Sequence, residues 1–236
     1  FKTNIALFSN SQKAIKQRDF YANDPRQIKL QEQLANRTIR IKNNNGKGHT
    51  EKSIFCEIKR GLKPSKGQYK LTNQTVGQLI WSFNHQNPGK ARSEPAKMWV
   101  NVPEGKNLDT GKRKKSIYEL IFNDAHVRAD EVSDIIQLSK YIEEFKAYQH
   151  DRYMDDTDND DMENMDAFLN NGELFLLAYI GHYKNEFIKQ SKPTAFLSDL
   201  DDKEIDDMYD VFYDIAEIMT EKAVAKSKTA ISNYTK

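Results

Sequence analysis

Apolar residues alternate between Arg37 and Gly61. Ile39 and Ile41 interleave with Arg40 and Lys42, and Ile54, Cys56 and Ile58 repeat the pattern beyond the stretch "NNNGKGHT". Period two places such residues on one face of a strand, so the segment predicts a β-hairpin with Phe55, Glu57 and Lys59 on the opposite face. The Gly-Lys-Gly within it lacks the G-x-x-x-x-G-K-[ST] spacing that wraps a phosphate, and reads as a turn. From Leu71 the period lengthens. Thr72 can cap a helix in which Val76, Leu79, Ile80 and Phe83 fall at i, i+3, i+4 and i+7. "NPG" at 87–89 ends it, and a second short helix can begin around Ser93 to Pro95 and carry Met98 and Trp99.

Ahead of the hairpin, Ile5 to Phe8 predict a short strand or buried turn, and Ser11 can cap a short helix through Phe20. Asn23 or Asp24 caps the next helix, whose first turn holds Pro25, where a missing N–H costs nothing. Ile28, Leu30 and Leu34 supply part of its apolar face. Past residue 115 the helical period dominates. Ser116 and Glu119 form a capping box. Ile135, Leu138, Ile142 and Phe145 line a helix of roughly Asp130 to His150, and another runs from Leu174 to Lys189. Asp201 with Glu204 opens the longest, where Ile205, Met208, Phe212, Ile215, Met219 and Ala223 hold one stripe. The acidic stretch "DDTDNDDMENMD", residues 155–166, predicts a solvated loop. The fold class expected is mainly α with a small antiparallel β-hairpin or sheet, an α+β protein with a helical C-terminal half.

The charge changes this picture. A formal net charge of +1 conceals two opposed halves. Residues 1–115 hold 24 Lys and Arg against 8 Asp and Glu, and residues 116–236 hold 12 against 27. A basic α+β region over 1–122 and an acidic helical region over 123–236 are therefore expected. The first suits a polyanion; alternatively the halves neutralise each other, within the chain or across a homodimer. Apolar runs are too short to span a bilayer, so no membrane partner is expected. Cys56 is the sole cysteine, which excludes an internal disulfide and a cysteine zinc site and fits a reducing, cytoplasmic setting. Because the chain begins at Phe1 in a segment patterned like mid-domain structure, a piece of a longer protein is expected.

Few residues propose chemistry. Glu57 and Lys59 have the E-x-K spacing with which metal-dependent nucleases mount a carboxylate and a lysine, and Mg²⁺ would be needed only in that case. The aspartate expected on a neighbouring strand has no candidate upstream except Asp19 and Asp24, both in helical context. The acidic stretch is not an EF-hand: Asp161 stands where glycine is required and Ala167 where glutamate is required. His182 and Glu186 share a helix face without a third ligand, and no metal site or other cofactor is expected. What remains is basic. Lys59, Arg60, Lys63 and Lys66 cluster near Lys70 and Tyr69; Lys90, Arg92 and Lys97 follow, then Lys112, Arg113, Lys114 and Lys115. Flexible cations with occasional aromatics suit phosphate contact and base stacking, without sequence readout.

Three segments resemble one family. "SNSQKAIKQRDFYANDPRQIKLQEQL" (9–34) is similar to the signature of the AIPR family, the abortive infection phage resistance proteins, through Asn10, Ser11, Gln12, Asp19, Asn23, Asp24, Pro25 and Gln27. "FCEIKRG" resembles the family's aromatic-x-E-x-K-R-G strand through Phe55, Glu57, Lys59, Arg60 and Gly61. "LTNQTVGQLIWSFNHQNPGKARS" resembles the helix and Pro-Gly turn that follow. The resemblance covers about residues 5–122. It implies a C-terminal part of a bacterial phage-defence protein whose nuclease-like region lies N-terminal to this segment. The expected role is a nucleic-acid-binding or regulatory module, with DNA or RNA, the rest of the same full-length protein and a phage-encoded trigger as partners. A nuclease using Glu57 and Lys59, and a pure protein-interaction or dimerisation module, are the alternatives.

Overall fold

A computed structural model describes residues 17–43, 48–100, 116–123, 128–183 and 200–226. The strand expected at Ile5 to Phe8, the cap at Ser11 and the trio Asn10, Ser11 and Gln12 lie outside them.

The alternating segment forms the hairpin. β1 (Thr38–Lys42) and β2 (His49–Glu57) run antiparallel, with Thr38 opposite Ser53 and Lys42 opposite His49. A third strand, β3 (Tyr69–Thr72), lies parallel to β2, pairing Ile54 with Tyr69 and Cys56 with Leu71. The sheet is thus mixed, in the order β1-β2-β3. Four residues running directly into a helix are too short to show alternation, which is why the sequence pattern misses β3.

Helices supply the rest of the core. After α1 (Gln17–Phe20) and a 3₁₀ turn, Asp24 caps α2 (Pro25–Ala35), accepting the Arg26 backbone N–H at 2.9 Å. α2 buries Gln27, Leu30 and Leu34 and packs on β2; Ile28, expected on that face, is exposed. α3 (Asn73–Phe83) starts at Thr72, whose hydroxyl accepts the Thr75 N–H at 3.1 Å. Val76, Leu79, Ile80, Trp81 and Phe83 are all buried, so α3 is apolar around most of its circumference and forms the centre of the molecule. α4 (Pro88–Ser93), a 3₁₀ turn over Pro95–Trp99 and α5 (Ile117–Ile121) follow. The Ser116–Glu119 box closes reciprocally at 2.9 and 3.1 Å.

Three long helices complete the described residues: α6 (Ala129–Asp155), α7 (Asp160–His182) and α8 (Asp202–Lys226). Asp201 and Glu204 cap α8 reciprocally, as their spacing predicts, at 2.9 and 2.8 Å. Among the described residues, α6 outruns α8 as the longest. The solvated loop expected at 155–166 is corrected: its last seven residues are the first turns of α7. Asn159 caps them, and Met162, Met165, Phe168 and Leu169 turn inward. Carboxylates in a first helical turn face the positive end of the macrodipole, so an acidic run there favours the helix. The helix expected over 174–189 begins earlier and is described only to His182. α7 presses against α3 so closely that a Cβ on Gly181 would clash with the Phe83 carbonyl oxygen. One hydrophobic core extends from Leu30 to Ala216, and Phe122, beside the boundary between the basic and acidic regions, is buried within it.

Candidate nucleic-acid interface

Residues 58–68 connect the parallel strands β2 and β3, and their base is pinned. Glu57, the last residue of β2, is buried. Its Oε1 accepts the Gly61 N–H at 2.8 Å and its Oε2 meets the Lys70 ammonium at 3.0 Å. Gly61 has φ +89°, a left-handed backbone that turns its N–H back towards the carboxylate. Burial alone would raise the Glu57 carboxyl, but Lys70 and the Gly61 N–H outweigh it and hold it below the ordinary glutamate value. Arg60 reaches Asp19 on α1 through two hydrogen bonds, with Nε to Oδ1 at 3.0 Å. This bidentate pair joins two of the three segments that carry the family resemblance.

Beyond the base, two turns shape the connection: Leu62 N–H bonds the Lys59 carbonyl, and Gln68 N–H bonds the Ser65 carbonyl. Lys59, Lys63 and Lys66 are exposed on it. Tyr69 is half-buried, with the Lys140 ammonium 5.2 Å from its ring centroid, so one ring face is already occupied. Burial raises its hydroxyl pKa against the lowering influence of Lys140.

The geometry expected of a nuclease strand is altered. β2 ends at Glu57, which places Lys59 in the turn rather than beside Glu57 on a strand face, and the carboxylate is committed to Gly61 and Lys70. Among the described residues, no group of three or more His, Cys, Asp and Glu could hold a metal ion. Cys56 is buried, accepts a 2.7 Å hydrogen bond from Gln31 at its carbonyl, and has its thiol pushed up to about 12, chiefly by burial. It fills the core, as its position in the strand implies.

The other sequence-derived candidates separate. Lys90 is exposed on α4, Lys97 pairs with Glu94 at 2.7 Å, and Arg92 donates to Asn171 on α7. Lys112, Arg113, Lys114 and Lys115 lie outside the described residues, as does Glu186, the supposed partner of His182. In the signature segment, Asp24 is doubly bonded by Arg26, at 3.0 and 2.7 Å. Burial would raise its carboxyl, but Arg26 prevails and lowers it. Gln27 is fully buried and accepts from Asn73 Nδ2 at 3.3 Å. The roles of Lys70 and Asp19 as partners were hidden in the sequence, because each lies on a separate element from the group it holds.

The basic and acidic halves also meet directly. Arg37 pairs with Asp130, and Arg40 with Asp202 at 3.1 Å. The Arg40 backbone N–H and C=O are both bonded by the Gln137 side chain, at 2.6 and 2.9 Å. His49 bridges Glu144 at 3.1 Å and Asp202 at 3.3 Å.

Fold and surface together define a mainly helical α+β protein whose acidic helices clasp one side of a small sheet while a pinned lysine loop projects from its end. The chain belongs to the AIPR family: the family model described as AIPR protein matches residues 1–236, the acidic half included. The name denotes abortive infection phage resistance. No curated protein and no solved structure matches the chain. Among the described residues, no helix is long and apolar enough to cross a membrane.

Proposed function

We propose that this chain is the nucleic-acid-binding and regulatory part of a bacterial abortive-infection phage-defence protein. The observation that carries the reading is a sorting of the basic residues. Arg37, Arg40 and Arg60 are engaged by Asp130, Asp202 and Asp19, whereas Lys59, Lys63 and Lys66 share one exposed connection and form no ion pair with a described residue. Internal neutralisation therefore accounts for the arginines and not for the lysine loop. Compact, hydrated ammonium groups on flexible stems suit phosphate contact without sequence readout. Lys90 extends the same surface chemistry. Arg60 acts as a positioning residue, holding the loop to α1. The outward faces of the acidic helices are left to meet the rest of the protein or a phage-encoded trigger.

The test is binding of labelled single-stranded and duplex DNA and RNA across a salt series, with and without Mg²⁺, with the same samples inspected for cleavage. The reading expects affinity that falls steeply with salt and no cleavage. Affinity indifferent to salt overturns it. Mg²⁺-dependent cleavage abolished by Glu57→Ala in a folded variant would favour the nuclease alternative instead.

A further inference from the structure

A second basic feature lies where α4 meets the acidic helices. A groove of about 350 Å³ runs between α4, α7 and the last turns of α8. α7 lines it with Phe168, Phe175 and Tyr179, of which the last two are partly exposed. On α8, Met219, Lys222, Ala223 and Lys226 fall at i, i+3, i+4 and i+7, a single stripe facing the groove. Nearer its start the same helix buries only apolar groups, among them Ile205, Phe212 and Ala216. At the groove, lysines enter that pattern. Arg92 comes from α4, its guanidinium held by the side-chain oxygen of Asn171.

The charge here runs against the surroundings. Residues 116–236 carry the chain's acidic excess, yet no carboxylate is among the described residues that line this groove. Aromatic walls accept a planar ring, and a pre-oriented guanidinium with two ammonium groups accepts a multiply charged phosphate rather than a single carboxylate. A purely apolar occupant would bring nothing to the three cations.

We propose that this groove binds a nucleotide, the base lying against Phe175 and Tyr179 and the phosphates reaching Arg92, Lys222 and Lys226. A free nucleotide and a unit of a single strand present this same chemistry. The inference uses none of Lys59, Lys63 and Lys66, so it stands or falls apart from the loop.

The experiment is a fluorescence titration of the whole chain with N-methylanthraniloyl ATP, followed by competition. Saturable binding is expected, reversed by unlabelled ATP at lower concentrations than by adenosine, which lacks phosphate, or by inorganic triphosphate, which lacks the ring. Arg92→Gln and Lys222→Glu should each weaken it about tenfold or more. Lys203→Glu, at the far end of α8, should leave it unchanged. Displacement by oligo(dT) at a lower nucleotide concentration than by ATP would assign the groove to a strand, and the reverse order to a free nucleotide; both support the site. Absence of saturable binding at millimolar probe overturns the proposal. Equal weakening by Lys203→Glu and Lys222→Glu also overturns it, because general charge attraction would then account for the signal.

Discussion

At the scale of single residues, the side chains that look most reactive are those most firmly held. Glu57 has the spacing of a metal ligand, but it is a buried carboxylate answered by Lys70 and the Gly61 N–H. Its folded pKa is lowered from the ordinary 4.5, because these partners outweigh the upward push of burial. A lowered folded pKa contributes stability above the unfolded value, and that contribution is lost as pH falls through the folded one. Glu57→Gln keeps an acceptor for Gly61 but surrenders the charge facing Lys70. It should be less stable than the native chain by about 1–2 kcal/mol at neutral pH, with a smaller gap at an acid pH below the lowered folded value. Urea unfolding at both pH values checks this; a gap that does not change with pH would mean the ion pair is not its source. The same reasoning shows why E-x-K misleads in the sequence. Strand alternation specifies a face, but not where β2 stops or which cation β3 brings alongside.

Among elements, legibility followed periodicity and caps. The hairpin, α3 with its Thr72 cap, the Ser116–Glu119 box and the Asp201–Glu204 start of α8 are all local patterns, and each forms as its spacing predicts. The misses arise where a local reading lacks its tertiary half. Parallel β3 needs β2, fifteen residues before it in the pairing of Ile54 with Tyr69 and wholly outside its own pattern, to be a strand at all. Residues 160–166 read as loop because six carboxylates crowd residues 155–163. The decisive signals are the Asn159 cap and Met165, with Asp166 buried against His150 at 3.0 Å and Asn170 at 3.0 Å. Asn159 accepts from the Asp161 and Met162 N–H groups at 3.2 Å. Asn159→Ala should cost about 1 kcal/mol and speed hydrogen exchange in the first two turns of α7. Exchange in that segment as fast as in an unstructured peptide, already in the native chain, would contradict the helix.

For the whole molecule, the opposed charges are resolved in two ways. Part of the basic half is drawn inward, where Arg40, His49 and the Gln137 bridge fasten the sheet to α6 and α8 over a shared core. Such a core predicts one cooperative transition. Unfolding followed by the fluorescence of Trp81 and Trp99, both in the basic half, should coincide with loss of far-UV helix signal, much of which comes from α6, α7 and α8. Separate midpoints would show that the halves unfold independently. Lys59, Lys63 and Lys66 project outward on the connection between β2 and β3, and the most direct test of the account measures what they meet. Equilibrium binding of single-stranded and duplex nucleic acid, plotted as log affinity against log salt, should give a slope that becomes shallower by about 2–3 when Lys59, Lys63 and Lys66 are all replaced by alanine, with the fold intact. An unchanged slope in that variant would contradict the assignment of the loop as the nucleic-acid interface.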